Sequence, residues 1–141
     1  MATYSIRELA DRFDVQPSTL RYYEDQGLLT DVDRDDAGRR VYSDRHVDRL
    51  EAISCFKHAG MSLDELKRFF AYESDERAHI TQMVELLEHR RDAIVEQRTA
   101  LEDAYMHVLR KLHLYRDIQS SIEQGTPYPD WADYVDKDFR P

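Results

Sequence analysis

Four side chains with hydrogen-bonding groups lie close together between Pro17 and Gly27: Ser18, Thr19, Arg21 and Tyr22. Proline suits the first turn of a helix and glycine allows the left-handed backbone that ends one, so this segment predicts a short helix. A guanidinium can bind a guanine edge through two hydrogen bonds, and hydroxyl groups commonly bind phosphates. We therefore predict that Arg21 reads base edges in duplex DNA and that the three hydroxyl side chains bind its backbone.

Each of these assignments has a structural alternative. Arg21 could instead form an ion pair with Asp25, one helical turn later. The adjacent Ser18 and Thr19 favour the DNA interpretation, because their hydroxyl groups suit phosphate oxygens. Tyr23, next to Tyr22, is expected in the core.

A second set of cations follows the turn signal Asp36-Ala37-Gly38, which predicts a hairpin. Arg39 and Arg40 begin a short candidate strand there, and both suit phosphates or the minor groove. Side chains alternate along a strand, so only one of the two is expected to face a given partner. The alternative for both is a solvated turn. His58 near the end of the third helix is a further candidate DNA contact, and its alternative is to offset the helix dipole.

The titratable side chains that could bind metal or perform catalysis are sparse. Cys55 is the only cysteine, which excludes an internal disulfide and favours a reducing cytoplasm. The six histidines are scattered and none is spaced four residues from another, so no metal site is predicted. We see no nucleophile motif, and we expect neither an enzyme nor a cofactor.

The net charge of −9 argues against strong non-specific attraction to nucleic acid. Residues 1–72 carry 11 Lys and Arg against 14 Asp and Glu. The distribution of charge matters more than its sum, and the arginines fall where a DNA-binding surface is expected. Four aspartates nevertheless cluster near the predicted hairpin: Asp31, Asp33, Asp35 and Asp36.

Capping residues and apolar periodicity predict four short helices in this part of the chain. The first runs from Ile6 to about Asp14, and the second is the Pro17 helix. Ser43 caps a third helix that reaches about Ala59, where Gly60 ends it. A capping box from Ser62 to Glu65 opens a fourth helix that ends near residue 72.

The next segment repeats an apolar residue at every seventh position: Ile80, Leu87, Ile94, Leu101, Val108, Tyr115 and Ile122. A sustained heptad is typical of a coiled coil, so we predict a long helix over residues 76–124 that associates with a second chain. The complementary positions are interrupted by Arg91 and Arg98. The alternative is a helix that folds back on the N-terminal domain of its own chain.

Residues 125–141 form a tail that keeps three aromatic side chains: Trp131, Tyr134 and Phe139. Because this content is unusual for disorder, the tail is expected to dock on the long helix or on another subunit. The predicted organisation is a DNA-binding domain at 1–72, a dimerisation helix at 73–124 and this tail. No apolar run suits a membrane span and no signal pattern opens the chain, so we expect a cytoplasmic protein without membrane contact.

Several motifs occur together in the order found in one family: Tyr4-Ser5-Ile6-Arg7-Glu8-Leu9-Ala10, Ser18-Thr19-Leu20-Arg21-Tyr22-Tyr23-Glu24, Gly27-Leu28-Leu29, Gly38-Arg39-Arg40-Val41-Tyr42 and Ala59-Gly60-Met61-Ser62-Leu63-Asp64-Glu65-Leu66. They resemble the MerR family of bacterial transcription regulators. Two positions depart from its pattern, Arg7 where glycine is common and Gln16 where serine or threonine is common. Gln16 is a poor helix cap, at a cost of about 1 kcal/mol.

The resemblance implies a mainly α-helical protein with a winged helix-turn-helix and a long dimerisation helix in an antiparallel coiled coil. It also implies a homodimer that bends and untwists double-stranded promoter DNA whose recognition elements are too far apart, acting there with RNA polymerase. Tyr42 resembles a phosphate contact of the family, and its alternative is a hydrophobic anchor for the hairpin.

The sequence around Cys55 resembles the single-cysteine branch of this family, which responds to aldehydes, quinones and nitrosative stress. That resemblance makes Cys55 a candidate effector site. The alternative is a small structural cysteine in the core. We thus expect a promoter-binding regulator; the competing hypothesis is a coiled-coil interaction protein whose helix-turn-helix no longer binds DNA.

Overall fold

The computed structural model describes residues 2–141, so Met1, the first residue of the predicted DNA-binding domain, lies outside it. The chain divides into a first compact unit that ends at Arg91 and a second from Asp92 to Pro141. The elements, in chain order, are β1 (Thr3–Tyr4), α1 (Ile6–Arg12), α2 (Pro17–Asp25), β2 (Asp33–Arg34), β3 (Arg40–Ser43), α3 (Asp44–His58), α4 (Leu63–Glu73), α5 (Glu76–Gln124) and a 3-10 turn (Trp131–Asp133). The mainly helical prediction is confirmed.

Local capping explains where α1 begins and where it ends. Ser5 Oγ accepts a hydrogen bond from the Glu8 amide, and the Glu8 carboxylate accepts one from the Ser5 amide. The chain then turns at Asp14, whose φ of 52° is a left-handed conformation that aspartate tolerates better than most side chains. Pro17 opens α2, and Gln16 supplies no side-chain cap, as the sequence predicts.

The wing is a three-stranded antiparallel sheet in the order β1-β3-β2. β3 pairs Arg40 with Arg34 of β2 and pairs Tyr42 with Tyr4 of β1. The sequence predicts the hairpin between β2 and β3 but not β1. At the tip of the hairpin, Gly38 has a φ of 79°, which a side chain would strain.

One hydrophobic core holds the first unit together. It draws on α1, α2, β3, α3, α4 and the start of α5: Leu9, Ala10, Leu20, Tyr23, Leu28, Leu29, Tyr42, Val47, Leu50, Ile53, Met61, Leu66, Phe69, Phe70 and Met83. The predicted core position of Tyr23 is confirmed, and Leu28 and Leu29, which follow α2, are buried with it. Because Met83 belongs to α5, the first turns of the long helix are part of this unit.

Contacts of Arg90 with Gly60 and Glu65 join the first part of α5 to the turn before α4 and to α4 itself. Gly60 has a φ of 87°, and a Cβ there would lie 3.1 Å from Nη1 of Arg90. Nη2 of the same arginine donates hydrogen bonds to Glu65 at 3.0 and 3.2 Å, and both side chains are largely buried. Glu65 is also the residue that completes the capping box of α4, so one carboxylate serves both helices.

The beginning of α5 contains a break at His79, whose φ of −125° and ψ of 15° are not helical. Its ring stacks on Tyr72 at 5.1 Å. The seven-residue apolar repeat begins at Ile80, immediately after this break.

The second unit consists of the remainder of α5 and the tail, which packs against it. Trp131 lies under Lys111 Nζ at 3.8 Å, Phe139 stacks on His113 at 4.0 Å, and the Tyr134 hydroxyl donates a hydrogen bond to Asp117. The prediction that the tail docks on the long helix is confirmed within this chain.

Candidate nucleic-acid interface

The α2 helix has one face in the core and one face in solvent. Leu20 and Tyr23 are buried, whereas Ser18, Arg21 and Tyr22 are exposed and Thr19 is half-buried. Helical periodicity places the two sets on different sides, and the polar set is the one predicted to read DNA. The side chains required by that prediction are therefore accessible on the surface of the first unit.

Arg21 is available to bind a ligand. Within residues 2–141 its guanidinium makes neither a hydrogen bond nor an ion pair, so the alternative pairing with Asp25 is not formed. A free, exposed arginine on the solvent face of a helix-turn-helix has the chemistry to donate two hydrogen bonds to a guanine edge. The Tyr22 side chain is 45% exposed beside it.

The wing tip is organised by Asp35. Oδ1 accepts hydrogen bonds from the amides of Ala37 and Arg39 at 3.0 and 2.9 Å, and Oδ2 accepts one from Arg39 Nε at 3.1 Å. The amide of Arg39 and, with it, the charge of its guanidinium hold the pKa of the Asp35 carboxyl below its ordinary value. The Arg39 side chain is still 80% exposed, so its guanidinium faces solvent at the end of the wing.

Arg40 and Tyr42 lie differently from Arg39. Arg40 Nε is 2.5 Å from Glu24 Oε2 on α2, and the two side chains are only 23% and 19% exposed. The Tyr42 hydroxyl lies 3.4 Å from the same carboxylate oxygen, and its side chain has no exposed surface. The prediction that Tyr42 contacts phosphate is therefore wrong, because a side chain enclosed by the core cannot reach DNA. Tyr42 instead anchors the hairpin, as the alternative supposed.

Burial also changes the acidity of Tyr42. Desolvation, followed by the negative charge of Glu24, raises the pKa of its hydroxyl to about 12. On its other side the ring meets the buried His46 edge-on at 5.5 Å. His46 Nδ1 accepts a hydrogen bond from the Ser43 amide, and Nε2 lies 2.8 Å from the Thr30 carbonyl oxygen, to which it donates. Polar contacts thus fix the foot of the wing, and of these only the Ser43–His46 pair is local in sequence.

His58 lies at the last position of α3 and is exposed. Its Nδ1 is 2.7 Å from the Ser54 carbonyl oxygen, one turn earlier in the same helix. His58 and its neighbour Lys57 also line an open cleft of about 510 Å³ beside Tyr23. That position agrees with a helix-end role, and contact with DNA remains a prediction.

Cys55 is exposed on α3. The alternative of a small cysteine buried in the core is therefore wrong. Two neighbouring polar residues on α3 contact other groups: His58 Nδ1 lies 2.7 Å from the Ser54 carbonyl oxygen, and Glu51 lies 4.0 Å from Arg12. Exposure makes the sulphur accessible to a reagent, and its role as an effector site remains a prediction.

The apolar repeat of α5 lies mostly in solvent. Ile94 is half-buried, and the other members are 40% to 71% exposed: Ile80, Leu87, Leu101, Val108, Tyr115 and Ile122. Exposed apolar residues also occupy complementary positions of the heptad: Val84, Tyr105 and Leu112. A row of exposed apolar side chains at this spacing is typical of a helix that packs against another helix.

Comparison with known proteins identifies the family. A model described as the MerR HTH family regulatory protein matches residues 4–73, and a second, described as MerR, DNA binding, matches residues 47–110. The chain belongs to the MerR family. The two matches together include the wing, α2 and most of α5. They confirm the family that the sequence motifs resemble.

Relatives within the MerR family extend the comparison beyond the motifs. An uncharacterized HTH-type transcriptional regulator of Haemophilus influenzae is 39% identical over 67 residues, 48% of this chain and half the length of that relative. The HTH-type transcriptional regulator ZntR of Escherichia coli is 29% identical over 132 residues, 86% of this chain and 94% of ZntR. The match with the Haemophilus influenzae relative therefore spans only about half of either protein.

A solved structure of a MerR relative has the same fold. HiNmlR, a MerR family regulator lacking the sensor domain, bound to promoter DNA, superimposes with a TM-score of 0.72 at 27% identity, over 89% of this chain and 92% of that chain. The predicted winged helix-turn-helix followed by a long helix is thereby confirmed as the fold class.

Residues 2–141 bring together no group of three or more His, Cys, Asp and Glu side chains that could hold a metal ion. Across the same residues, none of the helices has the combination of length and apolar composition needed to cross a bilayer.

Proposed function

We propose that this chain is a sequence-specific, DNA-binding transcriptional regulator. The observation that carries the proposal is the free guanidinium of Arg21 on the exposed face of α2, beside exposed Ser18 and Tyr22. Arg21 reads a base edge, while the hydroxyl groups and Arg39 of the wing bind phosphates. The relative HiNmlR, which was solved bound to promoter DNA, supports DNA binding as the function.

The active form is a homodimer joined through α5. Its support is the exposed apolar repeat centred on Leu101, which is 71% exposed in the single chain. Burying such a row against a second copy removes apolar surface from water, and a two-fold dimer places two DNA-reading units on one site. In the manner implied by the family, the dimer bends and untwists promoter DNA so that RNA polymerase can use it.

A salt-dependent mobility shift tests this function. The probes are a duplex from the region upstream of the gene for this chain and a random duplex of equal length. We expect tighter binding to the upstream duplex, with an affinity that falls as salt rises. Binding to neither duplex would favour the interaction protein without DNA binding, an alternative supported by the net charge of −9. Equal binding to both duplexes would contradict the proposed sequence specificity.

Cys55 is the proposed site at which the regulator responds to electrophiles. Its exposure on α3 supports access. The thiolate sulphur bonds to the carbonyl carbon of an aldehyde or to a ring carbon of a quinone. The C=O bond of the aldehyde, or the conjugated C=C bond of the quinone, gives its π electrons to oxygen, and that oxygen takes up the proton lost from the thiol. An adduct near the end of α3 changes packing between the DNA-reading helices and the long helix, which biases the protein between two arrangements.

The Cys55→Ser variant tests the effector proposal. Serine keeps the size of the side chain and removes most of its nucleophilicity. We expect promoter binding to stay intact and the transcriptional response to electrophiles to disappear. An unchanged response in the variant, or a wild-type thiol that mild alkylating reagents leave unlabelled in the folded protein, would contradict it.

A further inference from the structure

The surface proposed to read DNA contains a carboxylate that should repel phosphates. Glu24 lies in the last turn of α2, the helix that carries Arg21 and Tyr22. Its side chain is 19% exposed, so it is neither a freely solvated acid nor an isolated buried one. A negative charge at this place opposes DNA binding unless it provides something else that binding requires.

Glu24 is joined to two residues of the wing strand. Oε2 accepts a hydrogen bond from Arg40 Nε at 2.5 Å, and the Tyr42 hydroxyl lies 3.4 Å away. Residues two apart in a strand have side chains on the same face, so one carboxylate meets that face of β3 at two successive positions. The contact therefore fixes both the distance between α2 and β3 and the rotation of the strand.

The neighbouring arginine has a different environment. Arg39 is 80% exposed and bonds to Asp35 within the wing itself. Arg40 is 23% exposed and bonds to the helix. Alternation along the strand separates the two guanidinium groups, so only Arg39 faces solvent with its charge available to phosphates.

We propose that Glu24 is a positioning residue that holds the wing in place relative to α2 through Arg40 and Tyr42. Arg40 then acts through Glu24 rather than as a phosphate contact. The inference rests on the proposed DNA-binding function and refines it, because it removes Arg40 from the set of predicted DNA contacts. A wing held at a fixed distance from α2 allows Arg39 and Arg21 to meet the same duplex without further ordering on binding.

The sign of one substitution distinguishes positioning from simple electrostatics. Glu24→Gln removes a negative charge from the DNA-facing side, so charge alone predicts tighter binding. Positioning predicts the opposite: loss of a charge-assisted hydrogen bond should weaken binding about tenfold. The matched control is Asp25→Asn, which removes an exposed carboxylate on the same helix that has no partner within the described residues. It should bind equally well or slightly more tightly.

A double-mutant cycle tests whether Arg40 acts through Glu24. The probe is a duplex selected from a random pool by the wild-type protein. Arg40→Gln should weaken binding about tenfold, and the Glu24→Gln, Arg40→Gln double variant should be no weaker than either single variant. Losses that add would show that Arg40 contacts DNA independently and would overturn the proposal. Arg39→Gln should add fully to each of these changes.

Amide hydrogen exchange in the DNA-free protein gives a readout that does not depend on DNA. Glu24→Gln should speed exchange of the β3 amides, while Asp25→Asn should leave it unchanged. Unchanged exchange in Glu24→Gln overturns the positioning role. If the wild-type protein selects no duplex, the proposed function fails, and the exchange measurement still decides whether Glu24 holds the wing. Should Glu24→Gln lose its helical circular dichroism, Arg40→Gln carries both measurements.

Discussion

The two compact units of this chain contain comparable apolar side chains in different environments. The first unit encloses a core that includes Leu20, which has no exposed surface. The second unit buries Met106 and Leu114 of α5 and Tyr134 of the tail but leaves Leu101 71% exposed. The same residue type is thus hidden in one unit and presented to solvent in the other, although both occupy regular helices.

This difference separates the apolar surface that one chain buries by itself from the apolar surface that we propose a second chain buries. A buried leucine contributes to the stability of its own unit at any protein concentration. An exposed leucine in a heptad contributes only when a partner covers it, so its contribution depends on concentration. The following predictions test that separation, beginning with the largest expected effect.

The Leu101→Asp variant should abolish association. In the proposed dimer each copy would bury an unpaired carboxylate, at a cost of several kcal/mol each, about a thousandfold or more in the dissociation constant. Sedimentation at micromolar concentration measures the change. Thr99→Asp, on another side of α5, should leave association nearly unaltered. A wild-type protein that is already monomeric under these conditions would refute the dimer.

The Leu20→Ala variant should destabilise the first unit by about 2–5 kcal/mol, because it leaves a cavity in an enclosed core. Denaturant unfolding followed by circular dichroism measures the loss. The midpoint shift should be the same across protein concentrations for that unit. Leu101→Ala is the matched control in the other unit, and its effect should shrink on dilution, because Leu101 contributes only while a partner covers it. If the effect of Leu20→Ala on the first unit changed with protein concentration, this prediction would be contradicted.

The Arg21→Ala variant should reduce discrimination between bases at one position of each half-site by about 1–3 kcal/mol. The exposed, unpaired guanidinium is the reason. Binding to a panel of duplexes with single base changes measures it. Tyr22→Phe should instead weaken binding to all duplexes alike, since it removes a phosphate contact. Equal losses for Arg21→Ala on specific and random DNA would count against base reading.

The smallest effect concerns the tail of the second unit at alkaline pH. The hydrogen bond to Asp117, followed by desolvation, raises the pKa of Tyr134 to about 12 from an ordinary 10.0. The docked tail keeps the proton longer than the undocked tail, so docking is fully stabilised below pH 10 and weakens as pH rises towards 12. Fluorescence of Trp131, the only tryptophan, reports the change. Tyr134→Phe should lack this alkaline weakening.

The helices of the first unit could be predicted because their signals are local. Ser5 and Ser62 cap helices three residues before their Glu partners, and Gly60 ends α3 as expected. The heptad likewise predicts α5 over residues 76–124, and the structure has Glu76–Gln124. The tail aromatics indicated docking but not the side chains they would meet.

The remaining features depend on contacts between residues distant in sequence. β1 is only Thr3–Tyr4 and becomes a strand by pairing with β3, some forty residues later. The link between Glu24 and Arg40 spans sixteen positions, so no periodicity reveals it. Glu24 lies within one of the family motifs, but the motif indicates no role for it. The resemblance to the family predicted that Tyr42 contacts DNA. Burial of Tyr42 follows from where β3 packs, which composition cannot show.

Gly60 limits which mutations this chain tolerates together. A side chain there would be strained at a φ of 87° and would crowd Arg90, the residue that bonds to Glu65. The effects of substitutions at positions 60 and 90 therefore depend on each other. A shorter side chain at position 90 removes the steric clash with a Cβ at position 60, but the backbone strain at position 60 remains. Although the two positions are thirty residues apart along the chain, the effects of substituting both should not add.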